Sequence, residues 1–249
     1  MEATTVSIPI SKWHKYNLLR QNPSLVDFLP ETHIFWMASL VDLLRRHRVV
    51  VIKSALGQGG ETVCKVQRHR HHYTIYFGKN VARANDLRDL ERKLPQYTIR
   101  ELSVVQQYIC LAPYKNRPAD IRTIVQRNEN GTFELTGMFY KRAPTHKFVT
   151  NVKQGGAFGP LTHYLRSAFT QSDVAKIITS IEKVSLEIGN YLGGQFRNNV
   201  YGIDLGLDSA GHLWIIEVNT KPSLNILQHI DKRMHSRAIF LRNWKKAPL

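Results

Sequence analysis

The chain has 249 residues, 43% of them hydrophobic, and can therefore bury a sizeable core as one large domain or two interlocked lobes. Its formal net charge of +16 favours anionic partners such as nucleotides, nucleic acids or acidic polymers. No apolar run approaches the roughly 20 residues that span a bilayer, and the first residues lack the pattern of a secretory signal. Cys64 and Cys110 form no CxxC pair, so we expect a reduced, cytoplasmic protein.

The first half of the chain predicts a mixture of helices and strands. Residues 1–31 are expected to be an irregular lead-in with one short helix near residues 12–20. A helix is predicted from His33 to Arg46, with Thr32 as its N-cap, because apolar residues recur there at helical spacing. The pattern then predicts a strand over 49–53, a hairpin over 62–66 and 73–77, a charged helix over 86–94 and a strand over 104–109.

The second half is typical of antiparallel strands around one long helix. Two strands, 120–127 and 133–142, are joined by a segment whose Asn-Gly step is a strong turn signal. After a glycine-rich loop, the clearest helix of the chain is predicted from Ser172 to Leu192. A second hairpin and a basic amphipathic helix ending near Asn243 complete the chain.

The second predicted hairpin carries two acids and an amide in otherwise apolar strands. With its turn centred after residue 209, Asp204 lies opposite Ile215. Strand side chains alternate between faces, so Asp204, Glu217 and Asn219 would share one face, about 7 Å apart at Cα. Such hard oxygen ligands suit Mg²⁺. The alternative is that the acids pair with arginine or lysine, because an unpaired buried carboxylate costs several kcal/mol.

A lysine and a glycine-rich loop follow the strand predicted at 49–53. Lys53 ends that strand, and the loop contains Gly57, Gln58, Gly59 and Gly60. Glycine lets backbone N–H groups approach phosphate oxygens, and a lysine adds a point charge. The loop is not a Walker A motif, and most glycine clusters are simple turns. Phosphate binding is favoured here because the acidic hairpin lies downstream in the same chain.

Two arginines lie on the strands that the Asn-Gly turn joins. We expect Arg122 and Arg142 to project toward the same end of the sheet. The planar fork of arginine suits phosphoryl oxygens and carboxylates and would neutralise charge during group transfer. The alternative for each is an ordinary surface arginine in a salt bridge.

Taken in order, a series of short segments resembles the ATP-grasp enzymes. The resemblance is closer to the YheC/YheD-type endospore coat-associated branch, which is related to the ribosomal-protein glutamate ligases. The segments are Leu29–Thr32, Val51–Lys53 with the glycine loop, Val105–Ile109, Asp120–Arg122, Thr150–Val152 with Gly155-Gly156, Gly202–Leu205 and Glu217–Pro222. The combination is specific, although each segment alone is not.

The resemblance implies an α+β ATP-grasp fold in which two α+β lobes clasp ATP, with antiparallel sheets and flanking helices. Residues 32–53 and 103–249 would form a core lobe with the metal site, and residues 54–102 a small lid lobe. The implied ATP contacts are Lys53, Gly57, Gln58, Gly59, Gly60, Gln106, Gln107, Tyr108, Ile109 and Asp120. The implied Mg²⁺ ligands are Asp204, Glu217 and Asn219, and the predicted catalytic residues are Arg122, Arg142 and Asn151.

The implied activity is that of an ADP-forming, ATP-dependent carboxylate-amine ligase that makes an amide or peptide bond through an acyl phosphate. We expect an acidic or peptide substrate and a cytoplasmic or spore-associated protein. Val149 stands where glutamate ligases have an arginine, and we expect the domain that usually precedes their lobes to be missing or reduced to the lead-in, so we do not expect their substrate contacts to transfer. The alternatives are a nucleic-acid or polyanion-binding module, and an idle spore-coat protein that binds ATP.

Overall fold

The computed structural model describes residues 11–56, 63–96, 102–145, 147, 149–150, 152 and 155–244. The chain forms two compact units. Unit 1 comprises residues 1–17 and 31–108, and unit 2 comprises residues 18–30 and 109–249. Each unit has an antiparallel sheet with flanking helices, which confirms the predicted α+β class.

Unit 1 is built on a six-stranded sheet whose spatial order is β1-β6-β2-β3-β4-β5, with all neighbours antiparallel. Its strands are β1 (Thr32–Ile34), β2 (Val49–Ser54), β3 (Cys64–Arg68), β4 (Tyr73–Phe77), β5 (Asn80–Ala84) and β6 (Ser103–Gln107). Its helices are α2 (Met37–His47) and α3 (Leu87–Lys93), and α1 (Lys12–Leu19) runs across the boundary with unit 2.

Alternate residues of the unit 1 strands pack beneath α2 and α3. Val50 and Ile52 of β2 share a buried cluster with Val66 of β3 and with Leu40 and Leu44 of α2. The intervening residues face the other way, because strand side chains alternate. This second face is polar in the centre of the sheet and carries Lys53, Lys65, Tyr76 and Gln106.

The predicted helix after Thr32 begins later than expected. Thr32 pairs with Gln106 in the β1–β6 ladder, so it is a strand residue and the prediction of an N-cap there is wrong. Helix α2 begins at Met37. The hydroxyl of Ser39 accepts a hydrogen bond from the amide of Trp36 at 2.9 Å and donates to the carbonyl of Ile34 at 2.8 Å, which holds the junction between strand and helix.

The two units divide the chain differently from the predicted lobes. Strand β2 pairs with both β3 and β6. Strands β1 and β2, predicted to belong to the core lobe, therefore lie in the same sheet as β3, β4 and β5 of the predicted lid. The short strands β1 and β5 lie at the two edges of this sheet and were not predicted. They are strands because they pair with β6 and β4, and their own sequences carry no clear strand pattern.

Glu31 binds three basic side chains of unit 1. Its carboxylate accepts hydrogen bonds from Arg46 and from His47 of α2, and contacts Nε2 of His33 at 3.0 Å. Burial raises the pKa of Glu31, but these bonds outweigh burial and lower the pKa from 4.5 to about 2. Because the folded-state pKa is depressed, the stabilisation is fully present above pH 4.5 and is lost as the pH falls toward 2.

Glu31→Gln is therefore expected to lower the free energy of unfolding at pH 7 by about 1 kcal/mol, a value typical of partly exposed ion pairs. The difference from wild type should shrink as the pH falls from 4.5 toward 2, where the wild-type carboxyl also becomes neutral. Urea unfolding of both proteins at a series of pH values measures it. A difference that stays constant across this range would contradict the assignment.

Unit 2 is built on a second antiparallel sheet, with the spatial order β10-β9-β8-β11-β12 and β7 paired with the start of β8. Its strands are β7 (Pro113–Tyr114), β8 (Arg117–Arg127), β9 (Phe133–Arg142), β10 (Ala157–Pro160), β11 (Val200–Leu207) and β12 (Leu213–Asn219). Its helices are α4 (Leu161–Ala168), α5 (Gln171–Gln195) and α6 (Lys232–Asn243).

Helix α5 covers one face of the unit 2 sheet. Its apolar stripe, which includes Ile181 and Ile188, packs on Ile121 and Ile203 of the central strands in one buried cluster. On the opposite face, α6 and the turn before it cover one end of the sheet, where Leu227 packs with Phe139 and Ile124. The other end of that face carries the charged side chains described below.

No helix in the described part of the chain is both long and apolar enough to cross a membrane. Both cysteines are free, Cys64 in the core of unit 1 and Cys110 exposed in unit 2. Burial raises the pKa of the Cys64 thiol to about 12, so this thiol is protonated at neutral pH.

Candidate active site

A β-bulge in β12 decides which side chains meet on the unit 2 sheet. On one side of the irregularity Leu205 pairs with Ile215, and on the other side Asp204 pairs with Glu217, so Ile216 is the extra residue. If the register of Leu205 and Ile215 continued without the bulge, Glu217 would point to the α5 face. The bulge therefore returns Glu217 to the face that carries Asp204.

The predicted register, with Asp204 opposite Ile215, is wrong because the turn is wider than expected. The side chain of Asp208 closes this turn: its Oδ1 accepts from the amides of Ala210 and His212, each at 3.0 Å. The expectation that the three oxygen-bearing residues share a face nevertheless holds. Asn219 pairs with Gly202, and its Nδ2 lies 3.2 Å from Oδ2 of Asp204.

Asp204 lies at the centre of a buried charge network, the carboxylate cluster, formed by Asp120, Arg122, Lys141 and Asp204. Arg122 donates Nε to Oδ1 and Nη2 to Oδ2 of Asp204, both at 2.8 Å. Lys141 Nζ donates to Oδ1 of Asp204 at 2.6 Å and lies 3.2 Å from Oδ2 of Asp120. Thr150 also donates to Asp120 Oδ2, whereas Asp120 Oδ1 is buried without a hydrogen-bond partner among the described residues.

Burial and neighbouring charges move the pKa values of the two carboxyls in opposite directions. Burial opposes ionisation of Asp204, but attraction to Arg122 and Lys141 outweighs it and holds the pKa of Asp204 below its usual range. At Asp120, burial raises the pKa to about 6 against the attraction of Lys141, and the negative charge of Asp204 adds to the rise. Asp204 is therefore the firmly ionised member of the pair at neutral pH.

Both interpretations of the acidic hairpin find support in this geometry. Asp204 is paired with basic residues, as the alternative interpretation expected, and no group of three or more His, Cys, Asp or Glu side chains in the described ranges is arranged to hold a metal ion. The donor chemistry fits Mg²⁺ all the same, because Glu217 lies directly opposite Asp204 and the amide of Asn219 contacts it. The three residues offer oxygen ligands that could hold such an ion if Asp204 exchanged one of its donors.

Arg142 lies outside the carboxylate cluster. Lys141 pairs with Asp120 and Arg142 with Ala119, so the two basic neighbours point to opposite faces of the sheet. The guanidinium of Arg142 lies 5.7 Å from the centre of the Tyr114 ring, on the face that α4 and α5 cover. Arg122 and Arg142, expected to project toward the same end of the sheet, lie on opposite faces of it. Lys141, which we did not predict, lies beside Asp120 and Asp204. The sequence did not reveal this placement because it depends on the register of β8 against β9, which shifts between Ile124 and Val125.

In unit 1, the polar face of the sheet carries a chain of buried hydrogen bonds. Lys53 Nζ donates to Oε1 of Gln106 at 2.8 Å, and Nε2 of Gln106 donates to the hydroxyl of Thr32 at 2.7 Å. All three side chains are buried. Gln106, predicted as a nucleotide contact, therefore orients Lys53.

The other residues predicted to contact the nucleotide lie outside this chain of hydrogen bonds. The amides of Gln107 and Tyr108 donate to the carbonyls of Glu31 and Val49, and the ammonium of Lys65, which we did not predict, lies 5.2 Å from the centre of the Tyr108 ring. Ile109 is the half-buried residue at which unit 2 resumes. The predicted loop residues Gly57, Gln58, Gly59 and Gly60 and the predicted catalytic Asn151 lie outside the described residues.

Gly202 leaves room for the carboxylate cluster. A Cβ at this position would lie 2.6 Å from Cβ of Pro222 and 3.1 Å from Nη1 of Arg122. Gly202→Ala is expected to displace these groups and cost about 1 to 3 kcal/mol of unfolding free energy. Gly194→Ala is a matched control, because a Cβ there meets nothing within 4 Å and alanine favours a helix. Equal thermal unfolding midpoints for Gly202→Ala and wild type would contradict this packing.

The chain is similar to known proteins in sequence and in fold. The family model described as YheC/D-like ATP-grasp matches residues 7–248. Two relatives from Bacillus subtilis (strain 168) are endospore coat-associated proteins: YheD is 24% identical over 230 residues, and YheC is 21% identical over 219. These alignments cover 88% and 85% of this chain but 49% and 59% of the relatives, so the chain spans about half the length of YheD.

Among solved structures, N5-carboxyaminoimidazole ribonucleotide synthetase from Thermotoga maritima superposes with a TM-score of 0.51 at 14% identity, over 94% of this chain and 48% of that one. This likeness concerns the fold. The family match covers nearly the whole chain, and the resemblance in the sequence segments points the same way. The chain therefore belongs to the YheC/D-like ATP-grasp family.

Proposed function

We propose that this protein is an ADP-forming, ATP-dependent carboxylate-amine ligase that uses Mg²⁺. The observation that carries the proposal is the direct pairing of Asp204 with Glu217 on the sheet face that also holds Arg122 and Asn219. Two adjacent carboxylates, an amide and a guanidinium in a largely buried setting are suited to a metal-bound polyphosphate. The bulge at this point of β12 favours a functional role, because bulges often re-aim a side chain next to an active site.

In unit 2, Asp204, Glu217 and Asn219 would hold the metal ion. Bound there, Mg²⁺ would supply charge neutralisation on the phosphates. Arg122 donates Nε and Nη2 to Asp204. Its Nη1 lies on the Gly202 side, where it would face a phosphoryl oxygen. Arg122 would thus hold Asp204 in place and bind the transferred group. The proposed catalytic roles of Arg142 and Asn151 stay predictions.

In unit 1, Lys53 would bind the nucleotide phosphates. Its ammonium is buried and is oriented by Gln106, which fixes the position of the charge before a ligand arrives. The loop that follows, with Gly57, Gln58, Gly59 and Gly60, would add backbone N–H groups. Gln107, Tyr108 and Ile109 are proposed to receive the adenine, and Asp120 is proposed to contact the nucleotide.

The reaction needs no side-chain nucleophile. An oxygen of the substrate carboxylate forms a bond to the γ-phosphorus while the bond from that phosphorus to the bridging oxygen of ADP breaks, which gives an acyl phosphate. A neutral amine then forms a bond to the acyl carbon, phosphate leaves, and the nitrogen loses a proton. Positioning and charge neutralisation carry most of phosphoryl transfer, and cationic side chains such as Lys53 and Arg122 supply both.

The substrates are proposed to be acidic. The net charge of +16 concentrates anions near the protein, and an acidic peptide or another polymeric carboxylate would benefit most. Because two relatives are endospore coat-associated, we also propose an association with the spore.

Incubation with ATP, Mg²⁺ and pools of amino acids and acidic peptides tests the proposal. We expect ADP and phosphate to appear together with a new mass that corresponds to an amide. None of these products should appear with Glu217→Gln. ATP binding without any product in any pool would favour the idle coat protein. Binding to DNA with a steep salt dependence, and no thermal shift from ATP and Mg²⁺, would favour the polyanion-binding module.

A further inference from the structure

The carboxylate of Asp204 uses all of its acceptor positions. Its Oδ1 accepts from Arg122 Nε and Lys141 Nζ, and its Oδ2 accepts from Arg122 Nη2 and Asn219 Nδ2. A carboxylate has about four lone-pair sites, so none is left for a further ligand. A cation that coordinates Asp204 must therefore replace one of these four donors.

Asn219 makes a neutral bond of 3.2 Å to Oδ2 of Asp204, whereas Lys141 is a charged donor on Oδ1 that already has another carboxylate within reach. Arg122 is fixed on Asp204 by two parallel bonds, both 2.8 Å long. Lys141 makes one bond to Asp204, on a flexible stem, and its ammonium already lies 3.2 Å from Oδ2 of Asp120. The other oxygen of Asp120 is buried and has no hydrogen-bond partner among the described residues. A short movement of the ammonium would give that oxygen a donor.

We propose that Lys141 is a counter-ion with two positions. It neutralises Asp204 when no divalent cation is bound, and it moves to Oδ1 of Asp120 when the cation coordinates Asp204. The inference rests on the proposed function, because the cation is the one that accompanies the nucleotide. In the first state two carboxylates share one ammonium, and in the second Asp120 has the ammonium to itself. Lys141 is thus a positioning residue.

This arrangement has a consequence for metal binding without nucleotide. A divalent cation that approaches Oδ1 of Asp204 must displace an ammonium from a bond 2.6 Å long. Lys141 therefore weakens binding of the free cation, and it keeps Asp204 paired within the buried part of the sheet until the cation arrives.

Titration with Mn²⁺ alone, followed by electron paramagnetic resonance, tests the proposal on the full chain. Lys141→Met is expected to bind Mn²⁺ about tenfold more tightly than wild type, because no ammonium has to be displaced, and a bond to a charged group is worth about this factor. Lys141→Arg is expected to bind more weakly than wild type, because a guanidinium can bond both carboxylates at once and release neither. Lys183→Met, at an exposed position of α5, removes the same charge outside the cluster and should match wild type.

Equal or weaker Mn²⁺ binding by Lys141→Met would overturn the proposal. A Lys141→Arg variant that matches wild type would also overturn it, because charge alone would then explain the result. If Lys141→Met fails to fold, a structure of the wild type with Mg²⁺ and a non-hydrolysable ATP analogue decides: the proposal requires Lys141 Nζ on Asp120 Oδ1, and a retained bond to Asp204 contradicts it. Failure of the proposed function would give a different result. Wild type and Lys183→Met would both form no ADP, while Lys141→Met would still bind Mn²⁺ more tightly, and Lys141→Arg more weakly, than wild type.

Discussion

Asp204→Asn is expected to lower the free energy of unfolding by about 3 to 5 kcal/mol, which is the usual cost of removing one partner from a buried ion pair. The substitution keeps the shape of the side chain but removes the charge that Arg122 and Lys141 share. The two cations would then be left with Asp120, whose own ionisation is opposed by burial, and with the half-buried Glu217. Urea or thermal unfolding followed by circular dichroism measures the loss.

Glu217→Gln is the matched variant for the adjacent carboxylate. Glu217 is only half-buried, so the loss of its charge should change the free energy of unfolding by less than about 1 kcal/mol. ADP formation should nevertheless disappear, because the amide is a poor substitute for a carboxylate ligand of Mg²⁺. An Asp204→Asn variant that unfolds like wild type would contradict the buried carboxylate cluster, and an active Glu217→Gln variant would contradict the metal assignment.

Lys53→Met is expected to weaken the binding of ATP by about 10- to 100-fold, because it removes a charge-assisted contact to phosphate worth about 1.5 to 3 kcal/mol. Methionine has a similar volume, so the fold should survive the change, at a cost of about 1 to 3 kcal/mol because the buried Oε1 of Gln106 loses its donor. Calorimetry with a non-hydrolysable ATP analogue measures the affinity.

Lys79→Met provides the control for the loss of one positive charge in unit 1. Lys79 lies exposed in the turn between β4 and β5, away from the hydrogen bond of Lys53 to Gln106. Its substitution should leave the affinity within about twofold of wild type, because a solvated surface charge acts weakly on a ligand. An unchanged affinity for Lys53→Met would remove Lys53 from the nucleotide site.

Local patterns in the sequence determined the regular elements. The apolar spacing of α5 and the Asn-Gly step between β8 and β9 placed these elements within a few residues of their observed bounds, because period and turn chemistry act over short distances. The same alternation put Asp204 and Asn219 on one face. The ordered segments also identified the family.

The tertiary structure decided which charged residues meet. A wide turn and the bulge at Ile216 together set the pairing of Asp204 with Glu217. Either one alone would have put Glu217 on the face of the sheet opposite to Asp204. The β8–β9 register brought Lys141, rather than Arg142, to Asp120. Register in a sheet follows from contacts between residues far apart in the chain, so neither composition nor local spacing contains it. The sequence thus supplied the acids and the cations, and the long-range strand pairing determined which of them neutralise each other.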